Sequence, residues 1–367
     1  MPKTPSTRRT FLGAVSAVPA AAAAATRVPI VVPTVLAPDI QISTDALKIV
    51  TTYKFEPSEI ARIKAVNPKV PIEVVVCGSP AEFRERVKDA EVVFGDLDAE
   101  SLKAATKCKW LQSREAGVEK LDPALRASDI VVTNYQRTFA HGISETAIGL
   151  LLSLTRGISR YYVPQFAKRQ MRAVGTAKSA DHVEITGRTM GIVGMGGIGS
   201  MLARRAHYGF DMKIVATEAK PLPKPDFVAE LHDKDWFPTM AQQVDVLVAA
   251  APHTPITERM FNESIFRSMK KTSYFLALSR GMLYDDMALV KALKEGWIAG
   301  AGLDVFPVEP PPSSHPIFDC PNVVMTAHTA GWSPDRQVRY VDDFAENVRR
   351  YTTGQPLMKV VDKKAGY

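Results

Sequence analysis

A run of glycines in a particular setting narrows the fold more than any other feature of the chain. Gly194-Met195-Gly196-Gly197-Ile198-Gly199 follows the apolar run Met190-Gly191-Ile192-Val193 and opens an apolar helical stretch from Ser200 to Tyr208. In a strand–turn–helix unit the first glycine permits the tight turn. The second lets backbone approach a pyrophosphate, and the third lets the helix lie close to the strand. The helix start adds free N–H groups and the positive end of its dipole, which suits phosphates. Such a unit buries its apolar faces only within a parallel sheet covered by helices, so the chain is expected to be an α/β protein.

The rest of the chain repeats that grammar. Lys48–Tyr53, Ile72–Val76, Glu91–Phe94 and Trp110–Ser113 read as strands, with Pro57 and Pro80 placed as first-turn prolines of the helices that follow. His141–Tyr162 reads as a long helix, too apolar for one exposed face and so placed between domains. A second series runs through Thr189, Lys213–Ala216, Val246–Ala249, Tyr274–Ala277 and Val323–Thr326, and an amphipathic helix over Asp335–Tyr351 closes the chain. That helix follows the last strand of the second half and can return to the first. Two Rossmann-like doubly wound domains are therefore expected, one discontinuous over 47–140 and 329–367, the other inserted over 141–328. At 367 residues the chain is long enough for two cores.

The first 25 residues do not read as part of either. Thr7-Arg8-Arg9-Thr10-Phe11-Leu12 resembles a bacterial twin-arginine export signal, and the uncharged, alanine-rich run Gly13–Ala25 follows it. A spanning helix needs about 20 strongly apolar residues, so this run implies no stable membrane anchor. The resemblance implies a periplasmic protein that crosses folded; a cytoplasmic enzyme with an alanine-rich arm is the other reading. Residues 26–46, rich in Pro and Val, read as a linker.

Lys3, Arg8 and Arg9 all lie in the signal and no acidic residue does, so removing these three from the net charge of +7 leaves +4. No basic stripe with interleaved aromatics accompanies this surplus, which argues against a nucleic-acid partner. Cys77, Cys108 and Cys320 are scattered without metal-ligand spacing, so neither a metal site nor a disulfide framework is expected.

Glu218 closes the strand after the glycine helix, 19 residues beyond Gly199, where a carboxylate can accept both ribose hydroxyls and repel a 2′-phosphate. NAD is thus favoured over NADP, with neighbouring Lys220 weakening the preference. Three further polar residues stand at strand ends of the second half, where open α/β sheets bind ligands: Arg280 in Leu278-Ser279-Arg280-Gly281, Glu309 in Asp304-Val305-Phe306-Pro307-Val308-Glu309-Pro310, and His328 in Thr326-Ala327-His328-Thr329. Their shared location points to one pocket.

Together these strings resemble the D-2-hydroxyacid dehydrogenase family, which includes glyoxylate/hydroxypyruvate reductases and phosphoglycerate dehydrogenases. The resemblance spans most of residues 47–355. It implies that the discontinuous domain is flavodoxin-like and binds a small 2-oxo or 2-hydroxy acid, and that the inserted domain binds NAD. The planar fork of Arg280 would pair with the substrate carboxylate and ketone. His328 would protonate the ketone oxygen in reduction and act as base in oxidation. Glu309 would be its carboxylate partner, favouring the cationic imidazole.

Asp304 would engage the nicotinamide carboxamide; Pro252 and Thr257 would line the adenine side. Ala116 and Gly117 would offer backbone N–H groups to the substrate carboxylate, closing the site between domains. The chain departs from the family pattern at Ala277, commonly asparagine, and at Ala327, commonly proline, and it carries Arg114 and Glu115 in the substrate loop. Formate dehydrogenase, a relative of the same fold, is expected to have glutamine where Glu309 stands. The remaining alternatives are a non-enzymatic NAD-binding scaffold, like the C-terminal-binding corepressors, and a periplasmic binding module. The long helix and the resemblance together suggest a homodimer.

Overall fold

The computed structural model describes residues 46–173 and 182–367. The segment read as an export signal and all but the end of the linker lie outside the described residues. The first sheet is built from β1 (Leu47–Thr51), β2 (Ile72–Val76), β3 (Val92–Phe94), β4 (Trp110–Gln112) and β5 (Val131–Thr133), in the order β2-β1-β3-β4-β5 with every pair parallel. This is the flavodoxin-like order.

The second holds β6 (Thr189–Val193), β7 (Lys213–Thr217), β8 (Glu230–His232), β9 (Val246–Ala249), β10 (Tyr274–Ala277), β11 (Gly300–Leu303) and β12 (Val323–Met325), ordered β12-β11-β10-β9-β6-β7-β8 and parallel throughout. The order reverses between β6 and β9, the switch point where doubly wound sheets receive dinucleotides. The α/β reading with two Rossmann-like sheets is what the structure has.

Period-2 alternation sends each sheet's side chains into two cores. Along β1, Ile49 joins Phe94, Trp110, Phe344 and Tyr351 on one face, and Val50 joins Phe83, Leu111 and Leu125 on the other. Along β9, Val246 and Val248 pack with Leu150, Leu151 and Leu202, whereas Leu247 and Ala249 pack with Phe261 and Phe275. The closing helix spans Pro334–Thr352 and belongs to the first sheet's core, its Phe344 ring centred 4.6 Å from that of Phe94. Pro57 and Pro80 both start helices.

Three strands were not expected from the sequence: β5, β8 and β11. The first two are only three residues long. β11 reads Gly-Ala-Gly-Leu and lacks a β-branched signature because its neighbours in the sheet and the long helix both crowd it: a β-carbon would lie 2.8 Å from the Asn322 carbonyl oxygen at Gly300 and 2.8 Å from Leu276 Cδ2 at Gly302. A β-carbon at Gly302 would lie 3.0 Å from Leu150 Cβ, and one at Gly300 would lie 3.3 Å from Leu154 Cδ2. That helix runs Ala140–Thr155, not to Tyr162. Gly157 takes a left-handed conformation (φ 63°) and a π-turn covers Ile158–Tyr162. The glycine-loop helix starts at Gly197 instead of Ser200 and ends at Phe210.

Among the described residues, no cluster of three His, Cys, Asp or Glu side chains is placed to hold a metal ion, and no helix is long and apolar enough to cross a membrane.

Candidate active site

Adjacent parallel strands β10, β11 and β12 end in register, Ala277 beside Leu303 and Leu303 beside Met325. The loops that leave them carry Arg280, Asp304 with Glu309, and His328. Neighbouring strands lie about 4.8 Å apart, so these loops emerge as one row. Two contacts lock them together. Gly281 lies so close to the next loop that a β-carbon there would fall 1.9 Å from the Phe306 carbonyl carbon. Ser279 Oγ donates to the Ala251 carbonyl at 2.7 Å, tying the Arg280 loop to the segment after β9.

His328 and Glu309 form a directly hydrogen-bonded pair. The carboxylate can only accept, so His328 Nδ1–H donates to Glu309 Oε2, at 2.7 Å, and Nε2 is left as the ring's other working atom. Glu309 Oε1 in turn accepts from the Phe306 N–H at 2.9 Å, which fixes the carboxylate's orientation. His328 itself has left-handed backbone (φ 55°), held by its N–H donating to the Asp304 carbonyl at 2.7 Å. Strain of this kind persists only where the surroundings over-determine it.

Asp304 supplies those surroundings. Only 1% exposed, its Oδ1 accepts from Thr326 Oγ1 at 2.6 Å and from the Thr329 and Ala330 N–H groups at 3.1 Å each. Burial pushes its carboxyl above the usual range, and these bonds offset part of that. Its main geometric task is therefore to shape the histidine loop. Oδ2 accepts one longer bond, 3.3 Å, from the Ala330 N–H and keeps lone-pair capacity for a carboxamide.

The loop that leaves β4 of the first sheet closes the site from the other side. Arg280 Nε donates to Glu119 Oε1 at 2.7 Å and its Nη1 to the Ser279 carbonyl at 2.7 Å. The pair lies against Gly117: a β-carbon there would stand 2.0 Å from Arg280 Nη2 and 2.1 Å from Glu119 Oε2, so a side chain at this position would displace both tips. Ala116 is held through its carbonyl, which accepts from Asn134 Nδ2 at 2.7 Å. Burial opposes ionisation of Glu119, but the charge and hydrogen bonds of Arg280 outweigh it and hold the carboxyl below its usual range.

Sequence reading missed Glu119; its one signal was a position two residues past Gly117. Of the loop's other charges, Arg114 lies over the Tyr53 ring, 5.0 Å from its centre. Trp332, four residues past His328, is 68% exposed.

The glycine loop has the build of a dinucleotide cradle. Gly194 has φ 96° and a β-carbon there would come within 2.7 Å of the Ala251 nitrogen. One at Gly199 would come within 2.0 Å of the Gly194 carbonyl oxygen, whereas one at Gly196 would meet nothing within 4 Å. The first and third glycines are thus forced by close packing, and the second faces open space where a phosphate fits. Buried Met195 and half-buried Ile198 support the loop from the core. Glu218 bends back to it, Oε2 accepting from the Met195 N–H at 2.8 Å and Oε1 from the Ala219 N–H at 2.9 Å.

Lys220 is turned toward Asp362 (3.6 Å) and the Tyr367 ring (4.0 Å). Thr257 Oγ1 donates to the Pro252 carbonyl at 2.7 Å, knitting the loop after β9 beside the switch point. Three ionisable groups away from the site have structural partners: Glu145 pairs with Arg205 at 2.7 Å, His207 Nδ1 meets the Met212 carbonyl at 3.2 Å, and His315 Nε2 meets Asp286 at 3.1 Å.

Comparison with known proteins bears on the same residues. Residues 148–330 match the model for "D-isomer specific 2-hydroxyacid dehydrogenase, NAD binding domain". The chain is 35% identical over 293 residues to a glyoxylate reductase of Korarchaeum cryptofilum, covering 76% of this chain and 85% of that one. It is 30% identical over 291 residues to a glycerate dehydrogenase of Methylorubrum extorquens, covering 76% and 88%. The structure resembles that of an NADPH-dependent glyoxylate/hydroxypyruvate reductase of Sinorhizobium meliloti in complex with NADP and sulfate, with a TM-score of 0.71, 26% identity and coverage of 88% and 100%.

Proposed function

The chain belongs to the D-isomer specific 2-hydroxyacid dehydrogenase family, and from that premise we propose that it interconverts a small 2-oxo acid and its D-2-hydroxy acid, with NAD preferred and His328 as the proton-transfer residue. It is an oxidoreductase of this family with an NAD-type cofactor. The observation that carries the finer reading is the 2.7 Å bond from His328 Nδ1 to Glu309. It fixes the ring so that Nε2 serves the reacting oxygen, and it compensates the charge of a protonated imidazole.

When bound, the nicotinamide supplies or takes up the hydride at the substrate carbon. Arg280 binds the substrate carboxylate and draws electron density toward the ketone oxygen. His328 Nε2–H donates to that oxygen as negative charge builds on it, and accepts the hydroxyl proton in reverse. Glu309 keeps the imidazole oriented through both directions. Ala116 and Gly117 offer backbone donors to the carboxylate from the first lobe, with Glu119 leaving Arg280 as substrate arrives. Asp304 positions the His328 loop and would hold the nicotinamide carboxamide. The Gly194–Gly199 loop, Pro252 and Thr257 frame the cofactor's phosphate and adenine side. NAD is favoured because Glu218 stands at the loop mouth and Lys220 is engaged by Asp362 and Tyr367.

Following NADH absorbance with glyoxylate, hydroxypyruvate, pyruvate and longer 2-oxo acids tests this reading. Turnover on at least one acid is expected; NADH binding without turnover on any would leave the non-enzymatic scaffold instead.

We divide the chain into a substrate domain, 47–140 with 329–367, and an inserted NAD domain, 141–328. We also place the protein in the periplasm on the strength of Arg8-Arg9 and the alanine-rich run that follows. Residues 1–30 fused to a folded reporter should be exported in a manner dependent on both arginines; retention in the cytoplasm would remove the export reading. A homodimer is supported by the exposed apolar side chains Val163, Phe166 and Met171 after the long helix, and a monomeric mass in light scattering would remove it.

A further inference from the structure

Arg137 lies in the turn between β5 and the long helix, in a left-handed conformation (φ 72°) that an arginine rarely takes. The turn is pinned from several sides. Asn134 Nδ2 donates to the Ala116 carbonyl at 2.7 Å, the Tyr135 N–H to the Glu115 carbonyl at 3.0 Å, and Thr138 Oγ1 to Asp343 Oδ2 at 2.8 Å. Lys359 Nζ donates to Thr138 Oγ1 at 2.8 Å and pairs with Asp343. The held backbone throws the side chain across the cleft onto the glycine loop. A β-carbon at Gly197 would stand 2.7 Å from both Cα and Cγ of Arg137, so Gly197 is glycine to admit this stem.

The guanidinium is half-buried, and no described residue accepts a hydrogen bond from it or pairs with it within 4 Å. Burial pulls it below its usual range, with Glu218 opposing that from a distance. A cation removed from water without a partner is costly. The strained backbone and the unpaired charge sit at one point, beside Gly196, whose outward side is open.

We propose that Arg137 binds the cofactor pyrophosphate from the first-lobe side, completing a cradle whose other half is the row of N–H groups at the start of the Gly197–Phe210 helix. The inference rests on the NAD-type cofactor of the proposed function. The helix supplies directional donors and a partial charge. Arg137 supplies a full charge and a planar fork matched to two phosphate oxygens. The contact spans both lobes, so holding the dinucleotide also holds the cleft.

Arg137→Gly tests this in the full chain, because glycine takes positive φ freely and relieves the turn instead of breaking it. Binding is read directly, by quenching of tryptophan fluorescence, with NADH, ADP-ribose and NADPH as probes. The Kd for NADH and for ADP-ribose should rise together by about tenfold or more, the effect of losing a charge-assisted contact. NADPH should weaken by a similar factor, and the melting temperature without cofactor should not fall. Unchanged Kd values would overturn the assignment. A loss confined to NADPH would also overturn it, placing the guanidinium on the 2′-phosphate. Arg137→Asn, which tolerates the same backbone, should repeat the result. Wild-type protein that fails to bind NADH would instead count against the proposed function itself.

Discussion

The two sides of the cleft are built on different principles. On the second lobe, Arg280, Glu309 and His328 hang from the ends of adjacent parallel strands, and their spacing follows from strand register. On the first lobe, Glu119 and Arg137 reach the site from loops, and their positions depend on contacts made far along the chain. Glu119 meets Arg280 across 161 residues of sequence. The first side suits chemistry, which needs fixed geometry. The second suits recognition, which must open and close. Substitutions on the strand-end side should thus strike turnover, and those on the loop side should strike affinity.

The largest expected effect tests the chemical side. His328→Ala should lower kcat by roughly 10²–10⁴-fold, the range for a lost general acid, while NADH affinity stays near that of wild type. Near-normal turnover would break the division at its strongest point. Next, Arg280→Lys keeps the charge but loses the planar fork, and kcat/KM should drop by about 10²-fold, with the effect of a bidentate contact replaced by a point charge. A change in KM alone would move Arg280 to the recognition side.

Gly199→Ala puts a methyl 2.0 Å from the Gly194 carbonyl oxygen. The carbonyl it meets is backbone and cannot yield cheaply, so folding stability should fall by about 1–3 kcal/mol and NADH should bind weakly. Normal stability and binding would show the loop looser than its packing implies.

The smallest effect falls on the loop side. Glu119→Gln should change KM for the 2-oxo acid by a few-fold, roughly the measure of one partly exposed ion pair, and leave kcat nearly intact. It also carries a pH signature. Arg280 holds the Glu119 carboxyl below its usual range in the folded chain, so the pair stabilises the fold above the unfolded carboxylate value. That contribution disappears as pH falls through the lower folded value. Wild type should melt above Glu119→Gln at neutral pH, and the gap should close below about pH 4. A gap constant across that range would show that Glu119 contributes by packing alone.

The same contrast explains what could be read before the structure. The fingerprint Gly194–Gly199 was legible because strand, turn and helix are contiguous, and its first and last glycines answer contacts within that unit or with the segment that follows β9. Arg280, Glu309 and His328 were legible as strand-end residues of a parallel sheet. β11 was not, because its glycines record close approach by Leu276 and Asn322 from either side of it in the sheet and by Leu150 and Leu154 of the long helix, contacts that only folding brings together. Arg137 carried no local sign at all; both its backbone conformation and its approach to Gly197 are tertiary. Asp304 was legible as a site residue, but its work of shaping the loop under His328 lies in bonds to Thr326, Thr329 and Ala330 that only folding brings into place.

The packing of Gly142 and Gly331 has a mechanical consequence. Under the domain division proposed above, the chain passes between lobes near Phe139–Gly142 and again near Ala330–Trp332, and the two passages touch. A β-carbon at Gly142 would lie 2.6 Å from the Ala330 carbonyl oxygen, and one at Gly331 would lie 3.0 Å from the Phe139 ring. A swing of one proposed lobe against the other would pivot at this seam, two residues from His328. A pivot displaces least what sits on its axis and most what sits at its rim. The imidazole and its carboxylate can therefore stay aimed while the Ala116–Glu119 loop travels, as a door's hinge stays in place while its edge sweeps.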